Sequence, residues 1–521
     1  MEATDSDSKP NSAEQTPAPQ ASSGRSVRSV ILLVLILIAA VIVRFHGIGT
    51  NSLWMDEFFS LKFSCGRGLH EDPLPRDIIV EHLIAPTRLA FAKSIARIPA
   101  IMQQDTHPPL YPLTLRVWRE IFGEGEVAAR SLSAVMSIIS VLLLYLTVRL
   151  LSGERVALWS AALLAVASSQ VEFAHETRSY AMLLTWVLAC CWMIALIQVR
   201  GSAWRRCALL ALFAVLAMLT HYYAAPPLAG AALYGVLRLR GRARGALLTS
   251  LLVAAGVWGI IWGRSMWNQR QYFSSNIEWA LDSQPDGLAQ RRLIDTAQLP
   301  AKYLLKARKR DEWMTIPGAL IYLLPIFFLR RQPALLLWWL ILMFSIGAVL
   351  ATDLWRGGWM IQMLRFTIVA SAAVCALLVA LISPPNSRLR HLAPAALVLT
   401  TAVSIMPAYD ITRQDFRSLG QYLGENMRSD DALVIFERDE PVESDLLYMA
   451  VTQYSPQLPA RLLVLTKPAG IEQLAHLSWS RQVWIINRSG ERAEAMLPGA
   501  TMVHSEPFPR LATVERVEFG K

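Results

Sequence analysis

Apolar segments long enough to cross a lipid bilayer recur along this chain from residue 29 to residue 408. A membrane-spanning helix needs roughly 20 mostly apolar residues, because the bilayer core offers its backbone no water to bind. The 521 residues are 54% hydrophobic and only 17% charged, against roughly 25% charged in soluble domains. The sequence therefore predicts an α-helical polytopic membrane protein. Topology explains the net charge of +10 better than nucleic-acid binding does.

The apolar pattern predicts about 11 transmembrane helices. Arginines such as Arg149, Arg200 and Arg330 flank the predicted spans, and they share one side of the membrane if the N-terminus is cytoplasmic. Because basic residues favour the cytoplasmic side, we expect the large loops 47–126 and 264–312 to lie outside. The protein is expected in the inner (plasma) membrane. The predicted spans are 29–46, 127–149, 156–174, 179–198, 206–222, 223–239, 246–263, 313–329, 334–351, 366–383 and 391–408.

Composition divides the chain into three parts. Residues 1–24 are rich in Ser, Pro, Ala and acids, which predicts a disordered cytoplasmic tail. Residues 25–408 form the predicted transmembrane domain, and 409–521 a small extracytoplasmic α/β domain. The α/β prediction rests on helix-like and strand-like segments at Asp415–Met427, Ala432–Phe436, Arg461–Thr466, Gly470–Leu477 and Gln482–Asn487.

Two adjacent carboxylates, Asp56 and Glu57, follow the first predicted span in the segment Trp54-Met-Asp-Glu. Charge beside hydrocarbon is costly and tends to mark function. A carboxylate near a bound acceptor can take a hydroxyl proton as a general base. The alternative is a solvated loop that Trp54 anchors at the membrane interface.

A second polar motif is Asp105-Thr-His-Pro-Pro-Leu-Tyr-Pro112. Its adjacent prolines predict a rigid turn that holds Asp105 and His107 in defined directions. Such a turn taken alone is more often architecture than chemistry. Asp, His and Glu side chains could also bind a divalent cation, although no tight ligand spacing demands one.

A third motif, His175-Glu-Thr-Arg-Ser-Tyr180, lies between the third and fourth predicted spans. Helical spacing would put Glu176 and Tyr180 on one face and pair His175 with Arg178. An arginine at an outer turn can bind a phosphate through two parallel hydrogen bonds. The alternative is a structural Glu–Arg pair.

Two further polar positions lie at the ends of predicted spans. Arg365, in Leu364-Arg-Phe366, could clamp a phosphate or serve as a topological anchor, and the sequence leaves both open. His221, in His221-Tyr-Tyr223, occupies a similar position, where an aromatic belt at the membrane interface is the favoured interpretation.

In this order, the motifs resemble those of GT-C membrane glycosyltransferases. The matching segments are Trp54-x-Asp-Glu57, Asp105-x-His-Pro-Pro-Leu-Tyr111, Glu176-x-Arg-x-Tyr180 and Arg365-Phe366. The nearest resemblance is to the bacterial family-39-like branch, which is related to protein O-mannosyltransferases and lipid A aminoarabinose transferases. The resemblance covers about residues 29–408, and the region from 409 is similar to that branch's extracytoplasmic domain.

The resemblance implies a transferase that takes its sugar from a polyprenyl-phosphate donor. It implies that Asp56 is the catalytic base, that Glu57 positions the acceptor or the sugar, and that Arg178 and Arg365 bind the donor phosphate. Phe366 stands where the family more often has a tyrosine, which removes a hydroxyl but not the charge of its neighbour. The remaining residues of the motifs are expected to shape the site, contact the acceptor or hold an optional metal: Asp105, His107, His175, Glu176, Tyr180 and His221.

The expected chemistry agrees with these roles. A phosphate leaving group, with a second pKa of about 6, needs charge neutralisation more than a strong acid. One base and one phosphate clamp favour a single displacement with inversion at the sugar carbon. The acceptor is left open among lipid, glycan and protein.

Other functions share parts of this pattern. A lipid-linked oligosaccharide ligase would have the same topology and chemistry. A transporter is less favoured, because its ionisable residues usually lie near the bilayer midplane within broken helices. A structural or sensing membrane protein is the third alternative.

Overall fold

The computed structural model describes residues 27–69, 73–273, 287–306, 311–383, 389–409, 414–437, 441–455 and 459–519. The predicted tail 1–24 lies outside the described residues. The chain forms a helical bundle followed by a mixed β-sheet. The bundle comprises α1 Val27–Phe45, α2 Met55–Ser64, α3 Ile98–Met102, α4 Leu110–Phe122, α5 Glu126–Ser152, α6 Glu154–Val166, α7 Ser168–Ala174, α8 Tyr180–Arg200, α9 Trp204–Thr220, α10 Ala225–Arg238, α11 Gly241–Trp258, α12 Arg264–Phe273, α13 Leu288–Leu304, α14 Thr315–Phe328, α15 Leu335–Arg356, α16 Ala370–Ile382, α17 Leu389–Val403 and α18 Met406–Tyr409.

Five helical segments of the described chain are long and apolar enough to cross a membrane: α1, α5, α8, the continuous stretch Gly241–Tyr272, and α15. Helices α6 and α7 would make a sixth span, bent by 55°. Each predicted apolar segment has a helical counterpart in the described residues. The prediction of a mostly helical membrane protein is confirmed, while the count of 11 crossings stays a prediction.

The break between α6 and α7 is stabilised from the neighbouring helix α1. Ala167 has an extended backbone there, so the last carbonyls of α6 lack the hydrogen bonds that a continuing helix would give them. The guanidinium of Arg44 is fully buried and donates to Ala165 O at 2.8 Å and to Leu164 O at 3.3 Å. The same guanidinium donates to Ser137 Oγ at 2.8 Å on α5. Arg44 thus fixes the bend that leads into the third motif.

The C-terminal unit is a six-stranded sheet in the order β1-β3-β2-β4-β6-β5. Strands β2, β3 and β4 are parallel, and their positions confirm the three predicted strands. The antiparallel hairpin β5–β6 was not predicted, nor was β1, which the segment between α2 and α3 contributes. The elements are β1 Ile79–Val80, α19 Phe416–Asn426, β2 Ala432–Phe436, α20 Pro441–Tyr454, β3 Arg461–Leu465, α21 Ile471–Ser478, β4 Val483–Asn487, α22 Ala493–Met496, β5 Ala500–Phe508 and β6 Ala512–Phe519.

The C-terminal unit packs directly against the segment that carries the two acids. The ring of Phe58 on α2 lies edge-on to Phe416, with 5.5 Å between ring centres. The hydroxyl of Tyr454 accepts a hydrogen bond from Leu53 N at 3.0 Å. The guanidinium of Arg417 donates to three backbone carbonyls within residues 49–51, at 2.9 to 3.0 Å. Helix α2 is therefore held from the sheet side as well as from the bundle.

Candidate active site

Asp56 meets two arginines that are far from it in sequence. It lies in the first turn of α2, where the positive end of the helix dipole favours a carboxylate. Arg365 Nη1 donates to Asp56 Oδ2 at 3.1 Å, and Arg178 Nη2 lies 3.7 Å from the same oxygen. The three side chains are mostly buried but not sealed, with 15%, 20% and 10% exposed for Asp56, Arg365 and Arg178. The predicted acid and both predicted phosphate-binding residues thus converge.

Arg178 is fixed by contacts on several sides. Its Nη1 donates to the backbone oxygen of Asp56 at 3.3 Å and to Ser60 Oγ at 3.4 Å. Its guanidinium carbon lies 5.7 Å from the ring centre of Tyr180. Burial acts to lower the pKa of Arg178, but the charge of Asp56 and the neighbouring oxygens of Tyr180 and Asp105 outweigh it, so the pKa is raised. The guanidinium therefore stays cationic.

Asp105 and His107 form a pair that supports Arg178 from behind. Asp105 Oδ1 lies 2.7 Å from His107 Nδ1 and accepts from His107 N at 3.0 Å. His107 Nε2 lies 3.4 Å from Arg178 Nη2. Since a guanidinium can only donate, Nε2 must be the acceptor, and Nδ1 carries the proton donated to Asp105.

The charge of Asp105 is stabilised by the same neighbours. Burial acts to raise the pKa of Asp105, but the hydrogen bond from His107, with smaller contributions from Thr106 N–H and the charge of Arg178, outweighs it. The pKa of Asp105 is therefore lowered, and the carboxylate stays ionised. Successive polar contacts thus link Asp105, His107, Arg178 and Asp56 across the site.

Glu57 does not share the environment of Asp56. Its side chain is fully buried, and Arg130 binds both of its oxygens, at 2.8 and 2.7 Å. Glu57 Oε1 also accepts from Thr177 N at 2.8 Å, and Oε2 from Trp54 N at 3.3 Å. Both oxygens are occupied within the protein, so this geometry does not support the predicted contact with acceptor or sugar. Glu57 instead ties α2 to α5 and to the third motif.

The third motif is a turn and not a helix, so its helical-spacing interpretation is wrong. Residues 175–179 separate α7 from α8, and Tyr180 begins α8. His175 does not pair with Arg178. Its Nε2 donates to Arg44 O at 2.8 Å, and burial lowers the pKa of His175 to about 4, which keeps the ring neutral. Glu176 is buried and faces a cavity beside Arg365.

His221 belongs to the wall of the site and not to an exposed aromatic belt. It is only 6% exposed. Its ring lies edge-on to His107, with 5.3 Å between ring centres, and 6.0 Å from the ring of Tyr180. It also stacks on Tyr223, whose backbone N–H donates to His221 Nδ1 at 3.2 Å. Aromatic rings thus close the site around Arg178.

A cavity of about 1340 Å³ opens beside the ion pairs. Trp54, Glu176 and Arg365 contribute to its wall from the predicted motifs. Helix α13 supplies basic and acidic groups that the sequence analysis missed, although 288–304 shows the mixed polar and apolar pattern of an amphipathic helix. These lining residues from α13 and its surroundings are Gln290, Arg291, Asp295, Gln298, Lys302, Lys306, Trp359 and Gln362.

Two lysines on this rim are already paired. Lys302 Nζ donates to Asp295 Oδ1 at 2.9 Å, and Lys306 Nζ donates to Glu172 Oε2 at 2.5 Å. Among the described residues, no group of three or more His, Cys, Asp or Glu side chains is arranged to hold a metal ion. The optional metal stays a prediction. Mixed charge beside Arg365 suits a polar, hydroxyl-rich ligand with an anionic group.

Residues 106–266 match the family model for dolichyl-phosphate-mannose-protein mannosyltransferases. The matched segment contains His107, Arg178 and His221 but neither Asp56 nor Arg365. No curated protein matches the chain.

The fold is similar to that of ArnT from Cupriavidus metallidurans, solved bound to undecaprenyl phosphate, with 13% identity and a TM-score of 0.56 over 94% of this chain and 98% of that chain. Apo ArnT gives 12% identity and the same TM-score and coverage. The S. cerevisiae Pmt1-Pmt2 protein O-mannosyltransferase complex, bound to its sugar donor, aligns with 16% identity and a TM-score of 0.36 over 47% of this chain. This chain spans only 35% of that yeast chain.

The fold similarity to ArnT and the family-model match bear out the resemblance predicted from the motifs. The fold is GT-C-like over nearly the whole chain, and a mannosyltransferase family model matches residues 106–266, about a third of the chain. The prediction of a GT-C-type membrane glycosyltransferase is confirmed at that level.

Proposed function

We propose that this chain transfers a sugar from a polyprenyl-phosphate donor to an acceptor hydroxyl, with Asp56 as the general base. The observation that carries the proposal is the convergence of Asp56, Arg178 and Arg365 from three distant segments, with Arg365 in the wall of a large cavity. A carboxylate and two guanidiniums are the groups that this displacement needs, because one end of the reaction loses a proton and the other gains negative charge.

The reaction is a single displacement. The acceptor oxygen bonds to the anomeric carbon while its proton passes to Asp56. The bond between that carbon and the phosphate oxygen breaks, and its electron pair leaves with polyprenyl phosphate. Arg178 and Arg365 neutralise the leaving charge. Attack on the face opposite the leaving group inverts the anomeric configuration, as in inverting glycosidases.

Donor and acceptor would share the cavity beside Arg365. ArnT, whose fold is similar, was solved with undecaprenyl phosphate bound. For this chain we place the polyprenyl tail between bundle helices and the sugar phosphate at Arg365, with the acceptor entering from the side of α13. The acids, the cavity and the C-terminal unit would all lie on the outer face, opposite the arginine-flanked cytoplasmic loops.

Deleting the gene and analysing the envelope glycans by mass spectrometry tests this function. We expect one envelope component to lose a sugar and the corresponding polyprenyl-phosphate sugar to accumulate. Wild-type protein restores the sugar, and Asp56→Asn does not. Envelope glycans and polyprenyl-phosphate pools that match the parent strain would contradict the proposal.

A further inference from the structure

We propose that Asp56 occupies the donor-phosphate site of the empty enzyme, so that donor binding both displaces Asp56 from its arginines and frees it to act as the base. The inference rests on the proposed function and adds a mode of regulation to the same site. In this arrangement the base is held inactive until the phosphate of the donor has arrived.

The contacts that carry this inference converge on one atom. Oδ2 of Asp56 lies 3.1 Å from Arg365 Nη1 and 3.7 Å from Arg178 Nη2. Two guanidiniums around one anionic oxygen are the arrangement expected of a bound phosphate. The carboxylate therefore stands where the proposed clamp would hold a non-bridging phosphate oxygen.

The ion pair between Asp56 and Arg365 is accessible to a competing anion. The side chain of Arg365 is 20% exposed and lines the cavity of about 1340 Å³. Arg178 lies deeper, with 10% exposed, and is anchored by Ser60 and His107. A phosphate that enters from the cavity would thus meet Arg365 first, while Arg178 stays in place.

The charge of the donor phosphate favours replacement of Asp56 by the phosphate at the two arginines. Oδ2 of Asp56 accepts from Arg365 and faces Arg178, so it is directed at the guanidiniums and not at an acceptor hydroxyl. The donor phosphodiester offers two non-bridging oxygens to the same cations, and the product monoester offers three with greater charge. Once the phosphate binds the arginines, Oδ2 of Asp56 is released toward the acceptor hydroxyl.

The exchange imposes an order on catalysis. Donor must bind before the base is available, which protects the site from activating an acceptor or a water in the absence of donor. After transfer, Asp56 carries the acceptor proton. When it loses that proton, its charge returns to the arginines and competes with the bound polyprenyl phosphate. The same carboxylate would therefore assist product release.

The test is an affinity measurement on Asp56→Asn with a polyprenyl phosphate that carries no sugar. Removing the competing charge should tighten binding about tenfold, which corresponds to roughly 1.4 kcal/mol. The matched control is Glu120→Gln, which removes one negative charge from an exposed carboxylate that pairs with Arg116 on α4 and does not contact Asp56 or its two arginines. Glu120→Gln should bind polyprenyl phosphate with the wild-type affinity. The uncharged polyprenol, which probes the lipid chain alone, should bind Asp56→Asn and the wild type equally.

A double-mutant cycle makes the test specific. Arg365→Ala should cost more affinity in the Asp56→Asn background than in the wild type, since Arg365 is partly neutralised only when Asp56 is present. If Asp56→Asn does not yield folded protein, Asp56→Ser removes the same charge and serves in its place. Equal or weaker binding of polyprenyl phosphate after loss of the Asp56 charge would overturn the inference.

Two measurements on Asp56→Asn separate its competition with phosphate from its role as the base. If Asp56 is the base but does not compete with phosphate, Asp56→Asn loses turnover and its affinity is unchanged. If Asp56 competes with phosphate but is not the base, the variant binds more tightly and still turns over. Turnover and affinity thus report on the two claims separately.

Discussion

At the residue scale, two adjacent acids have opposite environments. Asp56 is partly exposed beside a cavity and meets two arginines, whereas Glu57 is fully buried and bound on both oxygens. Successive residues of a helix point about 100° apart, so neighbours in sequence readily face different surroundings. The motif therefore combines one candidate catalytic group with one structural group.

Loss of the Arg365 guanidinium should weaken donor binding. Arg365→Ala is expected to reduce affinity for polyprenyl phosphate roughly tenfold to a hundredfold, as for other hydrogen bonds to charged groups. The affinity of Arg365→Lys should lie between those of the wild type and Arg365→Ala, because lysine keeps the charge but lacks the planar guanidinium. Equilibrium binding in detergent or nanodiscs measures both. Unchanged affinity in both variants would make Arg365 a topological anchor.

Loss of the Glu57 carboxylate should act on stability. Glu57→Gln leaves Arg130 buried without its counter-charge, which costs about 3–5 kcal/mol in comparable buried pairs. We expect a lower thermal midpoint for the purified protein, and partial recovery when Arg130→Met is added. A stable Glu57→Gln protein that has lost only turnover would restore a catalytic role for Glu57.

Loss of the His107 ring should act on the orientation of Arg178. His107→Ala removes the acceptor behind Nη2, so we expect a lower kcat with a smaller change in affinity for polyprenyl phosphate. His107→Gln keeps an acceptor and should recover part of the rate. If both variants lose thermal stability and neither changes kcat, His107 is part of the architecture of the proline turn only.

At the element scale, α2 is held between the bundle and the C-terminal unit. Arg130 binds it from α5, and Arg417 and Tyr454 bind the residues before it from α19 and α20. Short polar segments that carry catalytic groups need such support, because a displacement of about 1 Å can cost a hundredfold in rate. The C-terminal unit therefore contacts the segment that positions Asp56.

Loss of the contacts between the C-terminal unit and the residues before α2 should lower turnover without weakening donor binding. Arg417→Ala removes the hydrogen bonds to residues 49–51, and we expect kcat to fall about tenfold, within the range that small misplacements produce. Arg461→Ala is the matched control, since Arg461 lies in the same unit and pairs with Glu81 on the exposed side. Equal rates in both variants would remove the C-terminal unit from the positioning of α2.

At the scale of the whole molecule, local patterns could be predicted and distant pairings could not. Apolar periodicity predicted the helices, and the short apolar strands predicted β2, β3 and β4. Arg365 and Asp56 are separated by 309 positions, and Arg130 and Glu57 by 73. No spacing rule in a single sequence links such residues, so the burial of Glu57 and the turn of His175 toward Arg44 appear only in the folded chain.

The most direct test of Asp56 as the general base is the rate of sugar transfer by purified Asp56→Asn, measured as release of polyprenyl phosphate in the presence of envelope acceptors. Removing a general base should slow transfer by about 10²–10⁴-fold, while Glu120→Gln keeps the wild-type rate. We expect this loss together with retained folding. Transfer by folded Asp56→Asn at the wild-type rate would contradict it.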